Sequence, residues 1–366
     1  MKALSFLIKP ASSMCNMKCR YCFYQDVSEH RCMDCYGRMR DTVREALITC
    51  SLSAYEECRI SYCFQGGEPL LAGKNFFQSF VDSVEAKKKP GQCISYSIQT
   101  NGLLLDDAWC SFFKKYDFLV GISIDGFEEN HDYFRHTADG HPTFVSLMEK
   151  VRLLKEYVIR YNVLTVLSDT LSTHGKELLD FYIKHELHYV QIIPCLPPLD
   201  KEKAEHACSP EQFAAFYKEF YEAWLKELNQ KRYISVTLFE NLIPMYQGIA
   251  PEQCGMLGQC MPQFVVEANG DVFPCDFYVL DAYKIGSVCT DSIKELVRRS
   301  FQSSFQAEKR KFCACCEKCR YSGMCHKNCK RMNDVLYSED YCGYQDFLSY
   351  SEQSMRIIAE RLFGSI

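Results

Sequence analysis

The sequence has little charge imbalance and no long apolar stretch. Its formal net charge is −5 at pH 7 over 366 residues, which gives no reason to expect a nucleic acid or an anionic membrane as a partner. The apolar run near the amino end is too short for a signal-peptide core, and no later run approaches the length of a transmembrane helix. We therefore expect a soluble, globular protein without a membrane or nucleic-acid partner.

The chain also lacks a linker rich in glycine and serine, and it has no long internal repeat. Its length is sufficient for two domains with cores of their own. The pattern changes after residue 200, where a charged stretch at 210–230 predicts one further helix. We place the domain boundary near residue 235, which gives domains at 1–235 and 236–366.

Cysteine, by contrast, is in excess. The chain has 23 cysteines, and proteins this rich in cysteine are usually small, secreted and held by disulfides. This chain is large and has no secretory signal, and an odd number of cysteines leaves at least one thiol without a partner after complete pairing. We therefore favour a reducing, cytoplasmic setting in which thiolates hold metal over a disulfide framework.

The first two thirds of the chain alternate between short apolar runs and amphipathic stretches. Runs rich in β-branched and aromatic residues predict strands at 4–8, 59–64, 93–99, 118–124, 161–167 and 189–194. Helices are predicted between them, near 42–56, 75–88, 106–115, 143–157 and 174–187. Strands that are apolar throughout are typical of a parallel sheet covered on both faces. The pattern therefore predicts an α/β protein, as a partial barrel or an open sheet.

Small and polar residues follow most of the predicted strands. The segments at the strand ends read KPASSMCNMKC, QGGEP, QTNG, SIDG and PCLPP. In parallel α/β folds the chemistry gathers at the carboxyl ends of the strands. We therefore place the functional edge of the sheet at these segments.

The segment after the first strand contains three closely spaced cysteines. Cys15, Cys19 and Cys22 are separated by three residues and then by two. Zinc sites and iron–sulfur clusters both normally use four protein ligands, so this triplet is one ligand short. From the spacing alone, a zinc site that lacks a fourth ligand and a group of buried thiols both stay open.

The Cys-x3-Cys-x2-Cys spacing after a first strand resembles that of the radical S-adenosylmethionine (SAM) enzymes. The resemblance implies a partial (β/α)6 barrel of the TIM type, and a [4Fe-4S] cluster whose fourth iron binds SAM. It also implies that the reduced cluster cleaves SAM to a 5′-deoxyadenosyl radical, which removes a hydrogen atom from the substrate. The missing fourth protein ligand then corresponds to the iron that binds SAM.

Strand-end motifs of this chain are similar to the SAM-binding motifs of that family. Glycines let a backbone approach a ligand closely, and the carboxylate of Glu68 in GGEP offers an acceptor for an ammonium group. The SIDG motif offers a hydroxyl and a carboxylate for ribose hydroxyls. The SAM contacts that the resemblance implies are Tyr21, Gly66, Gly67, Glu68, Ser123, Asp125, Arg135 and Leu196.

Eight cysteines from residue 254 to residue 342 form a longer array. Cys316-x2-Cys319 alone would suit a zinc ribbon, but the whole array resembles the SPASM domain, which carries two auxiliary [4Fe-4S] clusters. The resemblance implies Cys254, Cys260, Cys275 and Cys329 as ligands of the first cluster. It implies Cys316, Cys319, Cys325 and Cys342 as ligands of the second. The ligand at position 316 stays open, because Cys313 and Cys315 lie beside it.

Over nearly its whole length the chain resembles the anaerobic sulfatase-maturating enzymes. The similar stretches are LIKPASSMCNMKCRYCFY, FQGGEP, QTNG, CGMLGQC and QFVVEANGDVFPCDFYVLD. That family oxidises a cysteine or serine of a sulfatase to Cα-formylglycine. The resemblance implies a sulfatase polypeptide and a reducing electron donor as partners, and three [4Fe-4S] clusters and SAM as cofactors. A monomer is the default expectation.

The resemblance also implies roles in the oxidation. Asp276 is the expected base for the thiol or hydroxyl proton, which it must reach directly or through one water. The remaining electron would leave through the auxiliary clusters, and Tyr24 would help to orient the target side chain. Asp276 could instead be a structural acid that caps backbone amides.

Two other functions stay open. A radical SAM enzyme that modifies a ribosomally made peptide would share the triplet and the SPASM array. Such enzymes often carry an amino-terminal winged-helix domain, and a first strand at residue 4 leaves no room for one. A non-enzymatic iron–sulfur carrier or zinc module would need only fully ligated metal sites, and the incomplete triplet argues against it.

Overall fold

The computed structural model describes residues 2–200, 205–261, 263–308 and 313–364. The chain divides into two compact units. Unit 1 comprises Met1–Ser123, Phe134–Tyr161 and Met261–Glu308, and unit 2 comprises Ile124–Tyr133, Asn162–Cys260 and Lys309–Ile366. The predicted domain boundary near residue 235 stays a prediction.

The long strands of the structure are the predicted ones. The strands are β1 (Lys2–Ile8), β2 (Cys58–Phe64), β3 (Gln92–Thr100), β4 (Leu119–Ser123), β5 (Tyr161–Leu167), β6 (Tyr189–Pro194), β7 (Ser235–Val236), β8 (Phe264–Val266), β9 (Asp271–Phe273) and β10 (Gly286–Ser287). Strands β1 to β6 coincide with the predicted strands, and their ends differ from the prediction by two residues at most.

The predicted helices are also present. The helices are α1 (Phe23–Glu29), α2 (Asp41–Ser53), α3 (Lys74–Lys87), α4 (Asp107–Lys115), α5 (Glu128–Phe134), α6 (Phe144–Glu156), α7 (Gly175–Lys184), α8 (Pro210–Asn229), α9 (Thr237–Met245), α10 (Ile293–Gln302), α11 (Ser304–Ala307), α12 (Ser322–Cys325), α13 (Asn333–Leu336) and α14 (Gly343–Phe363). Helices α2, α3, α4, α6, α7 and α8 were predicted, whereas α1, α5 and the helices α9 to α14 were not.

The sheet of unit 1 places three loops side by side. Its strand order is β10-β9-β8-β1-β2-β3-β4, with β1 to β4 and β8 parallel and β9 and β10 antiparallel to their neighbours. Ile8, the last residue of β1, is in register with Phe64 on one side and Val266 on the other. Below this level Phe6 is fully buried, and its ring stacks on that of Phe264 with centroids 5.2 Å apart. The residues that directly follow β1, β2 and β8 therefore leave the sheet at one level.

Unit 2 contains the parallel strands β5-β6-β7 and the long helices α8 and α14. Helix α8 begins with a capping box in which Ser209 Oγ accepts from the backbone of Gln212 and the Gln212 side chain accepts from the backbone of Ser209. The rings of Tyr217 in α8 and Phe239 in α9 lie 5.4 and 6.2 Å from that of Phe347 in α14.

The α/β class with a mostly parallel sheet is confirmed. Within the described residues, no helix has both the length and the apolar character needed to cross a bilayer.

Candidate active site and cluster sites

The predicted triplet lies on the loop between β1 and α1, in unit 1. N–H groups are directed at two of its sulfurs. The Met17 backbone donates to Cys15 Sγ at 3.4 Å, and Asn101 Nδ2 lies 3.8 Å from the same sulfur. Arg135 Nη1 lies 4.0 Å from Cys19 Sγ. Because such donors stabilise cluster thiolates and tune the potential of the cluster, these residues fit an iron–sulfur cluster held by the triplet.

The glycines of GGEP allow the loop after β2 to lie against the loop that leads to the triplet. Gly67 N donates to Ser12 O at 2.9 Å, and Glu68 N donates to Met14 O at 2.7 Å. A Cβ atom on Gly67 would lie 2.1 Å from Met14 O, and one on Gly66 would lie 2.9 Å from Ser12 O. Side chains are therefore excluded here, and the close approach of the two backbones depends on glycine.

Glu68 has a buried carboxylate that joins two strand-end loops. Its Oε1 accepts hydrogen bonds from Thr100 Oγ1 at 2.9 Å and from Leu70 N at 3.0 Å, and its Oε2 accepts from Asn101 N at 2.9 Å. Burial raises the pKa of this carboxyl to about 7, although the three hydrogen bonds oppose the shift. The side chain thus connects GGEP to QTNG, and its contact with SAM stays a prediction.

The structure brings some of the other predicted SAM contacts together. In unit 1 the Arg135 guanidinium carbon lies 5.4 Å from the centre of the Tyr21 ring, in addition to its approach to Cys19. Ser123 Oγ accepts from a glutamine side chain at 3.1 Å. In unit 2 the buried Asp125 carboxylate accepts from a backbone N–H at 2.9 Å, and Leu196 is half-buried after β6. The roles of these residues toward SAM stay predictions.

Asp276 is held by two side chains that leave the sheet at the same level. Lys9 Nζ lies 2.6 Å from Asp276 Oδ1, and Gln65 Nε2 donates to Oδ2. Lys9 and Gln65 directly follow the paired residues Ile8 and Phe64, so the register of β1 and β2 positions both donors. Lys9 is 0% exposed and Asp276 is 9% exposed. The carboxylate is therefore fixed in direction and paired with a fully buried ammonium.

Tyr24 is engaged with a second buried charge cluster. Its hydroxyl donates to Glu267 Oε2 at 2.8 Å, and Lys9 Nζ lies 3.7 Å from the centre of its ring. The same Glu267 oxygen accepts from Arg31 Nη1 at 2.5 Å and from Ser12 Oγ at 3.2 Å. Burial, and then the charge of Glu267, raise the pKa of Tyr24. The hydroxyl thus faces Glu267, while the ring face supports the ammonium that holds Asp276.

Unit 2 contains a cavity of about 310 Å³ at the position predicted for the second auxiliary cluster. Its lining includes the four predicted ligands Cys316, Cys319, Cys325 and Cys342. Partial burial raises the pKa of the Cys325 thiol to about 11; a backbone N–H bond opposes this shift, and the other three thiols add to it. Four thiols that face one cavity and interact electrostatically fit a [4Fe-4S] cluster.

Three ligands predicted for the first auxiliary cluster also lie together in unit 2. Burial raises the pKa of the Cys329 thiol, a backbone N–H bond lowers it, and the neighbouring Cys260 and Cys254 raise it further. A Cβ atom on Gly255 would lie 3.3 Å from Cys329 Cβ, so the two chain segments approach closely. The fourth predicted ligand, Cys275, follows β9 in unit 1.

One observation departs from the expectation of thiols without disulfides. Cys313 and Cys315, for which no role was predicted, are joined by a disulfide. The single intervening residue keeps the two side chains adjacent on a tight turn, which explains why these two can pair.

Comparison with known proteins identifies the family. The radical SAM superfamily matches residues 10–182, and the SPASM iron-sulfur cluster-binding domain matches residues 254–320. The cysteine-type anaerobic sulfatase-maturating enzyme of Clostridium novyi is 34% identical over 97% of this chain and 96% of its own length. The chain belongs to the family of anaerobic sulfatase-maturating enzymes.

Other members of this sulfatase-maturating family show the same relationship. The serine-type enzyme of Bacteroides thetaiotaomicron is 28% identical over 90% of this chain and 83% of its own length. The solved structure of native anSMEcpe with bound AdoMet and Cp18Cys peptide is 33% identical, with a TM-score of 0.88, and the match covers 98% of this chain and 99% of that chain. A radical SAM oxidoreductase with a SPASM domain, SAM and [4Fe-4S] clusters is thereby confirmed, and a non-enzymatic carrier is ruled out.

Four residues around the predicted base were not predicted from the sequence. Lys9, Gln65, Glu267 and Arg31 were not singled out, although they contact Asp276 or Tyr24 directly or through one another. Lys9, Gln65 and Glu267 directly follow strands of the sheet, and this position could have identified them as candidate site residues. No spacing rule indicates that Arg31 pairs with a residue more than two hundred positions away.

Replacing Glu267 by glutamine in this sulfatase-maturating enzyme leaves the Arg31 guanidinium without a counter-charge in the protein interior. We expect the free energy of unfolding to fall by about 3–5 kcal/mol, measured by urea denaturation under anaerobic conditions. The matched control is Glu85→Gln, which removes the exposed partner of Lys88 and should cost less than about 1 kcal/mol. Equal stability of the two variants would contradict the importance of the buried pair.

Replacing Gly67 by alanine forces a Cβ atom against the Met14 carbonyl. Overpacking of this kind costs about 1–3 kcal/mol or more, so we expect a lower melting temperature and less bound iron, because the loop that carries the triplet is displaced. Gly323→Ala is the control, since a Cβ atom there meets no atom within 4 Å. A Gly67→Ala protein with the iron content and melting temperature of the parent would show that the approach is not required.

Proposed function

We propose that this enzyme oxidises a cysteine of a sulfatase to Cα-formylglycine, with Asp276 as the base. The observation that carries the proposal is the fixed carboxylate of Asp276, held by Lys9 and Gln65 at the strand ends of the unit that also bears the triplet. A base must have its acceptor atom in a defined position within reach of the proton it removes. Lys9 and Gln65 fix the position of the Asp276 carboxylate oxygens.

The oxidation removes a hydrogen atom, a proton and an electron from the target. When bound, SAM and the three [4Fe-4S] clusters supply the radical that takes the hydrogen atom from Cβ and the route for the last electron. The side chain CH2–SH then becomes CH=S, and water converts this thioaldehyde to the aldehyde with release of hydrogen sulfide. The protein itself has to accept the thiol proton, and we assign this step to the Asp276 carboxylate.

Lys9 and Gln65 each contact one oxygen of the Asp276 carboxylate and so fix its orientation. Lys9 is close enough to Asp276 to form a direct ion pair. Tyr24 acts as a positioning residue in this proposal, because its ring face lies against the Lys9 ammonium and its hydroxyl is held by Glu267. This differs from the predicted role of Tyr24, which was to help orient the target side chain.

The cluster ligands and SAM contacts are proposed as the sequence predicts them. The N–H donors near Cys15 and Cys19 support the triplet Cys15, Cys19 and Cys22 as the ligands of the SAM cluster. The grouping of thiols in unit 2 supports the two auxiliary sets. The proposed SAM contacts are Tyr21, Gly66, Gly67, Glu68, Ser123, Asp125, Arg135 and Leu196.

The comparisons support cysteine as the target residue. Relatives named cysteine-type enzymes are 34% and 35% identical to this chain, whereas the serine-type enzyme of Bacteroides thetaiotaomicron is 28% identical. We further propose that the enzyme acts in the cytoplasm, because cluster thiolates require a reducing compartment. We also propose that it is a monomer that receives electrons from a reducing donor.

Replacing Asp276 by asparagine keeps the shape of the side chain but removes its capacity to take a proton. We expect formylglycine formation to fall by about 10²–10⁴-fold, while SAM cleavage to 5′-deoxyadenosine continues. Both products are measured in one anaerobic reaction, by mass spectrometry of a cysteine peptide and by chromatography. Bound iron is counted in the same preparation.

The control for this substitution is Asp271→Asn, which removes an acid of β9 that pairs with Lys284. It should leave both products close to the parental amounts. If Asp276 is only structural, the Asp276→Asn protein loses deoxyadenosine formation and iron together with formylglycine, and the assignment of the base fails.

The choice of target residue is tested with matched peptides. A sulfatase-type Cys-x-Pro-x-Arg peptide should yield formylglycine with an equal amount of 5′-deoxyadenosine, and its serine analogue should yield less than about a tenth as much. Equal yields from both peptides would show that the target is not restricted to cysteine. Deoxyadenosine without formylglycine from either peptide would contradict the proposed substrate.

A further inference from the structure

The cavity of the proposed second auxiliary cluster has more cysteines in its lining than the cluster needs as ligands. Five cysteines line its cavity, namely Cys315, Cys316, Cys319, Cys325 and Cys342. A fully ligated [4Fe-4S] cluster binds four. We infer that Cys315 is an alternative ligand of this cluster, which the disulfide to Cys313 withholds and reduction releases. The inference rests on the ligand set proposed above.

The local backbone places Cys315 beside the ligand that it would replace. Cys315 and Cys316 are adjacent on the 3-10 turn Ala314–Lys318. Cys316 N donates to Cys313 O at 3.0 Å, and Ala314 N donates to Glu339 O at 3.0 Å, so both ends of this short segment are held. Exchange between neighbouring thiols on one turn needs less backbone movement than exchange with Cys319, Cys325 or Cys342.

The two cysteines of the disulfide have different surroundings. Cys313 is 1% exposed and its sulfur accepts the backbone N–H of Cys315 at 3.2 Å, so it is anchored in the protein. Cys315 is half-buried and lines the cavity. Reduction would therefore release one thiol into the protein interior and the other toward the cluster site.

Reduction of the disulfide and exchange of the cluster ligand need only a dithiol reductant. A dithiol reductant supplies two electrons and two protons, which break the S–S bond and give two thiols, while the reductant becomes a disulfide. Cys315 then loses its proton and forms an iron–sulfur bond, and the iron–sulfur bond of Cys316 breaks. The proton released by Cys315 is taken by the departing Cys316 thiolate, so the charge of the cluster site is unchanged.

Cluster content in three variants tests the inference. The full-length proteins are Cys316→Ser, Cys319→Ser and Cys315→Ser/Cys316→Ser, each prepared anaerobically with excess dithiothreitol and reconstituted with iron and sulfide. Iron and sulfide are counted, and the clusters are quantified by Mössbauer spectroscopy. Cys319 is the matched control, because it lines the same cavity and no cysteine is adjacent to it in the sequence.

We expect Cys316→Ser to keep the parental iron content, while Cys319→Ser and the double variant each lose about four irons. Without dithiothreitol, Cys316→Ser should lose the cluster, and Cys313→Ser/Cys316→Ser should retain it because no disulfide can form. If Cys316→Ser loses as much iron as Cys319→Ser in the presence of reductant, the inference is overturned and the ligand set stands. If Cys319→Ser keeps all its iron, the proposed ligand set itself fails and the inference fails with it.

Discussion

The ion pair between Lys9 and Asp276 is the interaction on which the arrangement of the active site depends. An ammonium taken out of water costs several kcal/mol unless a counter-charge and further contacts accompany it. Here Asp276 supplies the charge and the Tyr24 ring supplies its negative face. Without Asp276 the buried Lys9 ammonium would have no counter-charge, and without Lys9 Asp276 would lose the donor that fixes one of its oxygens.

This pair is itself supported by a second buried charge cluster. Glu267 receives the Tyr24 hydroxyl and the Arg31 guanidinium at the same oxygen, and both charged side chains are fully buried. A buried pair of this kind is weak support for stability, because hydrophobic residues of similar volume often serve as well. Its persistence next to the proposed base is better explained by geometry: Glu267 sets the position of Tyr24, and Tyr24 sets that of Lys9.

Strands β1 to β6 were predictable because each contains a run rich in β-branched and aromatic residues. Helices α1 and α5 were missed because each has seven residues, too few for a clear helical period. Helices α9 to α14 were not predicted either, although α14 has 21 residues, because the cysteine-rich region after residue 235 was interpreted as short, mixed elements. The cluster cysteines were identified from spacing that resembles a family. Lys9 was missed for a physical reason: a lysine after a strand is normally solvated, and its burial depends on partners that only the strand register brings close.

The backbone between two proposed cluster ligands indicates that metal binding and folding are coupled in unit 2. His326, Lys327 and Asn328 all have positive φ angles, of 47°, 68° and 49°, and they form the whole link between Cys325 and Cys329. Left-handed conformations cost non-glycine residues roughly 1–2 kcal/mol each, and they persist only where the surroundings determine them. The flanking cysteines are proposed ligands of different clusters, so metal would hold both ends of this short link. The free energy of metal binding would then offset the strain, as it does in small metal-dependent domains.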